Sequence, residues 1–232
     1  MDLDWDGCIN VRDLGGFRTP AGPTASRVFV RADNARKLTD AGWHAAAEYG
    51  IRTVLDLRSE GECAADPPAR EGFVHRRISL FDHFDGDAAY RADLFARVGT
   101  LDRTDRYTLS YREALQLDTR RFAEAIDVLA EAQGGVLFHC VGGKDRTGLL
   151  TAMLLRLVDV PYAEIEDDYV LTEQRARSSG VEIRHDVTAP RGVLTHVLGE
   201  VEQEHGSVAA FLERAGAPER ALRRIREKLA PL

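Results

Sequence analysis

One ten-residue stretch, His139 to Gly148 (HCVGGKDRTG), constrains this chain more than any other. It follows the apolar run Val136 to Cys140 (VLFHC) and opens a second, longer apolar run from Arg146 to Val158. The first run predicts a strand buried on both faces, as in a parallel sheet. The second is apolar almost all round, which predicts a buried central helix. Strand, glycine-bearing loop and helix N-terminus together make the layout of an anion site. The backbone N–H groups of Val141, Gly142, Gly143, Lys144, Asp145 and Arg146 can converge there on one point. Gly142 and Gly143 can take the positive φ that such a nest requires.

Side chains complete the loop. Cys140 stands at its start and Arg146 at its end. A thiolate at Cys140 is favoured by the helix dipole, the N–H groups and Arg146. The planar fork of Arg146 can hold two oxygens of a phosphoryl group, which a lysine cannot do. Thr147 follows, with a hydroxyl that can donate to the sulfur when the sulfur must leave. A cysteine at the end of a buried strand is ordinarily a small hydrophobe. Spacing, glycines, arginine and helix placement together reverse that reading for Cys140. Cys8 and Cys63 lack such a setting and read as inert thiols. The nucleotide-binding pattern GxxxxGK[ST] is absent; here the phosphate is attacked rather than cradled.

Composition narrows the class. Basic residues number 31 against 38 acidic, a net charge of -7, which argues against nucleic acid as a partner. No apolar run approaches the roughly 20 residues of a membrane span. The three cysteines include no CxxC pair, so neither a disulfide scaffold nor a zinc site is expected, and no metal or cofactor. The first ten residues, MDLDWDGCIN, lack an apolar signal core. A cytoplasmic location is the expectation, with signal-less export left open.

The rest of the chain reads as α/β, a central mostly parallel sheet with helices on both faces, in a single domain over 1–232. Strands are expected at Asn10 to Phe17, Arg27 to Arg31, Thr53 to Leu57 and Phe73 to Ser79, besides Val136 to Cys140. Helices are expected at Asp40 to Tyr49, ended by Gly50, at Arg120 to Ala132 and at Tyr162 to Arg177 after Pro161. Two or three more follow Pro190, with Ser207 and Pro218 as start signals. Tyr90 to Leu117 holds two amphipathic stretches, and 86–117 reads as a lid insertion or as a hairpin packed on the core.

HC-x5-R-T is the signature loop of cysteine-dependent protein tyrosine phosphatases. The fuller HCVGGKDRTG resembles the bacterial tyrosine-protein phosphatase family of the PtpB and LipA type. Further segments resemble that family: NVRDLGGF (Asn10 to Phe17), FVRAD (Phe29 to Asp33), GIRTVLDLRS (Gly50 to Ser59) with Glu62, DYVLT (Asp168 to Thr172) and GSVAAFLERAG (Gly206 to Gly216). The resemblance spans essentially the whole chain. It implies hydrolysis of phosphate monoesters on phosphotyrosine, phosphoserine/threonine or phosphoinositides through a cysteinyl phosphate, with inorganic phosphate released.

The same resemblance implies roles. It places the proton donor on a loop near Asp82, with Asp85 a competitor, and dual-specificity spacing points instead to Asp102 or Asp105. Asp145 is a further candidate, to shuttle a proton, position water or merely hold Lys144. Lys144 is expected at the pocket mouth, meeting a second phosphate, or else in a salt bridge to Asp145 or another carboxylate. His139 is expected to orient the loop. Asp56, Arg58, Asn10, Arg12, Asp13 and Arg31 are expected to brace it. Two other readings remain at this stage: a phosphate-recognition module on the same fold, and a different cysteine enzyme such as a sulfurtransferase or arsenate reductase.

Overall fold

A computed structural model describes residues 1–65, 70–81, 87–180 and 188–230. Its strands, in chain order, are β1 (Arg12–Asp13), β2 (Arg18–Thr19), β3 (Gly22–Pro23), β4 (Phe29–Ala32), β5 (Ile51–Asp56), β6 (Val74–Arg77) and β7 (Gly135–His139). Five of them form one sheet in the order β1-β4-β7-β5-β6. The β4–β7, β7–β5 and β5–β6 pairings are parallel, and only β1 runs antiparallel, on the edge beside β4. β2 and β3 form a separate small hairpin.

The near-continuous apolar strands serve two cores, because successive side chains leave opposite faces of a strand. Val30, Val54 and Leu137 point to one face, where α1 (Asp40–Tyr49) brings Trp43 and Ala46. Thr39 caps the start of α1 by accepting from Gly42 N, and Gly50 ends it at φ 103°, a left-handed position that favours glycine. Phe29, Leu55, Val136 and Phe138 point to the other face. Against them pack α4 (Arg103–Leu117), α5 (Thr119–Glu131), α6 (Asp145–Arg156), α7 (Tyr162–Ser178), α8 (Val193–His205), α9 (Val208–Arg214) and α10 (Glu219–Leu229). α2 (Glu60–Ala65) and α3 (Ala88–Val98) are the other α-helices among the described residues. The fold is α/β with a mostly parallel central sheet flanked by helices. No helix among the described residues is long and apolar enough to cross a membrane.

Most expected elements appear within a residue or two of their predicted ends. The exception is Asn10 to Phe17, where only Arg12–Asp13 is strand. The Asp13 carboxylate accepts from Gly15 N at 2.5 Å and Arg27 N at 2.6 Å, and so turns the chain out of the sheet. Helix α2 was not expected. Its start is a capping box: Ser59 Oγ accepts from Glu62 N at 3.3 Å, and Glu62 Oε2 accepts from Ser59 N at 2.8 Å.

Candidate active site

β7 ends at His139 and α6 begins at Asp145, so the loop lies at the carboxyl edge of the sheet, at its central strand. Its peptide planes are held from behind. The Cys140 carbonyl oxygen lies 3.2 Å from His139 Nδ1, and that of Val141 accepts from Asn34 N at 3.0 Å. The Gly142 and Gly143 carbonyls each accept from Asn10 Nδ2 at 3.3 Å, and Gly143 also from Arg31 Nη2 at 2.6 Å. In a planar trans peptide, an N–H points away from the carbonyl before it. The N–H groups of Val141, Gly142, Gly143 and Lys144 are therefore turned to the concave side. Asp145 and Arg146 add the first free N–H groups of α6. Gly143 has the positive φ (65°), and a Cβ there would stand 2.5 Å from the Ala32 carbonyl oxygen. Gly142 does not share that conformation.

The brace behind the loop is buried and ionic. Asp168 on α7 pairs with Arg12 Nε at 2.7 Å and with Arg31. Arg12 also reaches Asn10 and, at 3.2 Å, Thr172. Burial alone would raise the Asp168 carboxyl, but the two guanidinium groups hold it well below the ordinary carboxylate range. Burial pulls Arg31 down to about 10, against the pull of Asp168, so it stays charged at neutral pH. To one side, Arg58 Nη2 meets Asp56 Oδ2 at 2.7 Å, and His139 Nε2 lies 3.8 Å from the same oxygen. Burial keeps His139 neutral.

In front of the loop lies a cavity of about 490 Å³. Cys140, Val141, Gly142, Lys144, Asp145 and Arg146 form its floor, and Leu94, Phe95, Val98, Tyr107 and Tyr111 of α3 and α4 form an apolar wall. Arg146 is held by the Glu62 carboxylate through bonds of 2.5 and 2.9 Å. Burial opposes its charge, but Glu62 and the nearby Cys140 sulfur outweigh that and hold it firmly charged. Arg31 also acts electrostatically on the Cys140 sulfur, from behind the loop.

The chain matches the tyrosine phosphatase family over residues 3–231. The chain belongs to that family. It is 28% identical over 224 residues to a tyrosine-protein phosphatase of Nostoc commune, covering 87% of this chain and 74% of that protein. It is 29% identical over 270 aligned positions to the triple specificity protein phosphatase PtpB of Mycobacterium tuberculosis, covering 95% and 96%. A putative tyrosine-protein phosphatase of Cupriavidus necator is 29% identical over 246 residues, covering 92% and 84%. The protein is a phosphatase enzyme, and a phosphorylated molecule is its substrate.

Within this phosphatase the loop residues named from the sequence come together. Cys140 is 2% exposed on the cavity floor. Thr147 is fully buried, and its hydroxyl has no hydrogen-bond partner among the described residues. Lys144 is not at an open mouth. It is 3% exposed; its Nζ donates to Tyr107 Oη at 2.7 Å and lies 3.5 Å from Asp145 Oδ1. Asp102 caps α4 through Asp105 N at 2.9 Å, and neither of these two residues lines the cavity. Asp82 and Asp85 lie outside the described residues. Burial pushes the Cys8 and Cys63 thiols up, so both stay protonated at neutral pH. The sequence had not singled out Tyr107, Tyr111, Tyr169 or the grip of Glu62 on Arg146. The Ser59-x-x-Glu62 box was the available signal for the last of these.

Proposed function

We propose that this phosphatase hydrolyses phosphate monoesters of protein side chains, phosphotyrosine foremost, in two steps through Cys140. The Cys140 thiolate attacks phosphorus, the P–O bond to the leaving group breaks, and the leaving oxygen takes a proton. Water then attacks phosphorus, the P–S bond breaks, and phosphate departs. Charge builds on the three equatorial oxygens, so the inward N–H groups and Arg146 stabilise the transition state. Thr147 serves the sulfur as it leaves, with a buried hydroxyl that has no other partner among the described residues. Asp82 is the proton donor that the family resemblance implies for the first step.

The observation that carries this reading is the loop itself: successive carbonyls pinned outward around a buried cysteine, with a guanidinium held at the rim. The apolar, tyrosine-lined wall in front of it suits an aromatic phosphate ester. Phosphoserine, phosphothreonine and phosphoinositides are the further substrates to compare, and a cytoplasmic location accords with free thiols. The test is phosphate release from a panel of phosphopeptides and phosphoinositides, with Cys140→Ser as control. Cys140→Ser is expected to abolish turnover while still binding phosphate esters. Turnover near wild type in that variant sinks the covalent route. Phosphoinositide rates well above those of phosphotyrosine peptides overturn the substrate assignment.

A further inference from the structure

Tyr107 and Tyr111 stand one turn apart on α4, so they share a face of that helix. They reach two successive loop residues. Lys144 Nζ donates to Tyr107 Oη, and Tyr111 Oη donates to Asp145 Oδ1 at 2.6 Å. Behind Tyr111 stands Tyr169 of α7, with its hydroxyl 2.7 Å from that of Tyr111. Since Tyr111 spends its proton on Asp145, Tyr169 is the donor in that second bond. Both tyrosines are buried, at 1% and 0% exposure. The Tyr169 ring lies against Gly148, where a Cβ would come within 3.3 Å of it. The chain Tyr169–Tyr111–Asp145 is therefore fixed from the loop's own helix outward.

Two groups engage Asp145 Oδ1: the Tyr111 hydroxyl and, at 3.5 Å, the Lys144 ammonium. Asp145 Oδ2 has no hydrogen bond among the described residues, and Asp145 lines the cavity beside Cys140. This is the setting of a carboxylate with one oxygen held and one kept available. It suits a group that accepts a proton better than one that must bring a proton.

We propose that Tyr111, backed by Tyr169, is a positioning residue that holds Asp145 as the carboxylate directing water in the second half of the reaction. This rests on the two-step reading above. In that half, water oxygen bonds to phosphorus, the P–S bond breaks with its electron pair returning to sulfur, and the water proton passes to Asp145 Oδ2. The first half, in which the leaving group departs, does not draw on Asp145.

This division gives a kinetic signature that packing alone does not produce. Phosphoenzyme hydrolysis contributes to kcat, whereas kcat/KM reports only the steps up to loss of the leaving group. Tyr111→Phe keeps the ring and removes the hydroxyl. With p-nitrophenyl phosphate it is expected to lower kcat and KM together by about tenfold, the size set by one hydrogen bond to a charged group. kcat/KM should stay within twofold or so. A rapid-mixing experiment should show a burst of p-nitrophenol approaching one equivalent per enzyme. Asp145→Asn should show the same pattern, larger. Adding Tyr111→Phe to Asp145→Asn should change nothing further, since Tyr111 acts through Asp145. Should Tyr111→Phe not fold, Tyr169→Phe tests the same chain with the same signature and a smaller burst.

A fall in kcat/KM that steepens with poorer leaving groups would overturn the proposal, because Asp145 would then act in the first half. Additive losses in the double variant would overturn it too, leaving Tyr111 as packing. Unchanged kinetics in Tyr111→Phe have the same force. Any of these leaves the covalent reading intact if Cys140→Ser is inactive, whereas an active Cys140→Ser removes the reading itself.

Discussion

Behind the phosphate loop, Arg12, Arg31 and Asp168 are at most 4% exposed and bind one another; in front of it, Phe95 of α3 is 64% exposed on the cavity wall. The rear is assembled from β1, β4 and α7, elements tied to the sheet and its larger core. The front is built from α3 and α4, which lie between β6 and α5 in the chain. The rear carries ion pairs whose disruption strands a buried charge. The front adds exposed apolar surface at Phe95, whose loss widens the cavity and strands no charge. The loop's backbone is thus held from behind, and the shape of the cavity is set from in front. Tyr111 crosses between the two, from α4 to Asp145.

The largest effect should follow from breaking the rear at its centre. Asp168→Asn leaves Arg12 and Arg31 facing each other in the core. Removing one partner of a buried pair costs about 3–5 kcal/mol, a large part of an ordinary domain's stability. Denaturant melts should show this loss. The pH dependence should show its source. The folded-state pKa of Asp168 is depressed, so its contribution is present above the unfolded value, near 3.9, and fades as pH falls through the lower folded value. Wild-type stability should therefore drop more steeply below about pH 4 than that of Asp168→Asn. Parallel curves would mean that Asp168 is not the acid-sensitive element of the rear.

Gly143→Ala attacks the boundary between the two sides. The φ of 65° costs a side chain about 1–2 kcal/mol, and the new Cβ meets the Ala32 carbonyl oxygen. The loop must tilt to relieve that contact, which swings the Lys144 N–H off its aim. A loss of roughly tenfold or more in kcat/KM is expected, with weaker inhibition by inorganic phosphate. Full activity would mean that the nest tolerates a reaimed peptide.

Glu62→Gln should have a milder effect. The amide keeps a bond to Arg146 but not the charge, on a side chain 31% exposed. KM for an aryl phosphate should rise about two- to fivefold with kcat less affected, since an interaction with one charge removed weakens by about 0.5–1 kcal/mol near solvent. A loss in kcat alone would show that Glu62 matters to the transition state rather than to holding Arg146 ready.

What the sequence disclosed follows the same division. The loop was legible because strand, glycines, Cys140 and Arg146 are contiguous. β4, β5 and β7 were legible because burial on both faces leaves apolar runs. The ion pairs behind the loop join residue 12 and residue 31 to residue 168, and no local pattern announces that three charged side chains will be buried together. Resemblance drew attention to those segments, and only the fold showed what they bind. For Lys144 the sequence left two placements open, the pocket mouth or a salt bridge to Asp145 or another carboxylate; its Nζ lies 3.5 Å from Asp145 Oδ1, and Tyr107 covers it. That covering helix read only as an amphipathic stretch, which gives a buried face and not its neighbour. Tyr107 and Tyr111 lie on that face, four residues apart, a spacing equally suited to plain core packing.

The smallest effect, and the sharpest test of the front, belongs to Phe95. Its ring lines the cavity yet is largely in water, so Phe95→Ala removes little packing, and stability should stay within about 0.5 kcal/mol. An aromatic substrate that fills the cavity covers that ring. Aromatic contacts are worth about 0.5–1.5 kcal/mol beyond simple burial, so KM for phenyl phosphate should rise roughly two- to tenfold. A small alkyl ester such as glycerol phosphate does not reach the wall, and its KM should not move. Inhibition by inorganic phosphate, which reports the loop alone, should be unchanged. If phosphate inhibition weakens in step with the aryl KM, α3 supports the loop, and the separation of front from rear fails. If neither KM moves, the exposed face of α3 takes no part in substrate choice, and the apolar wall acts through Leu94 and Val98, the buried residues of that helix.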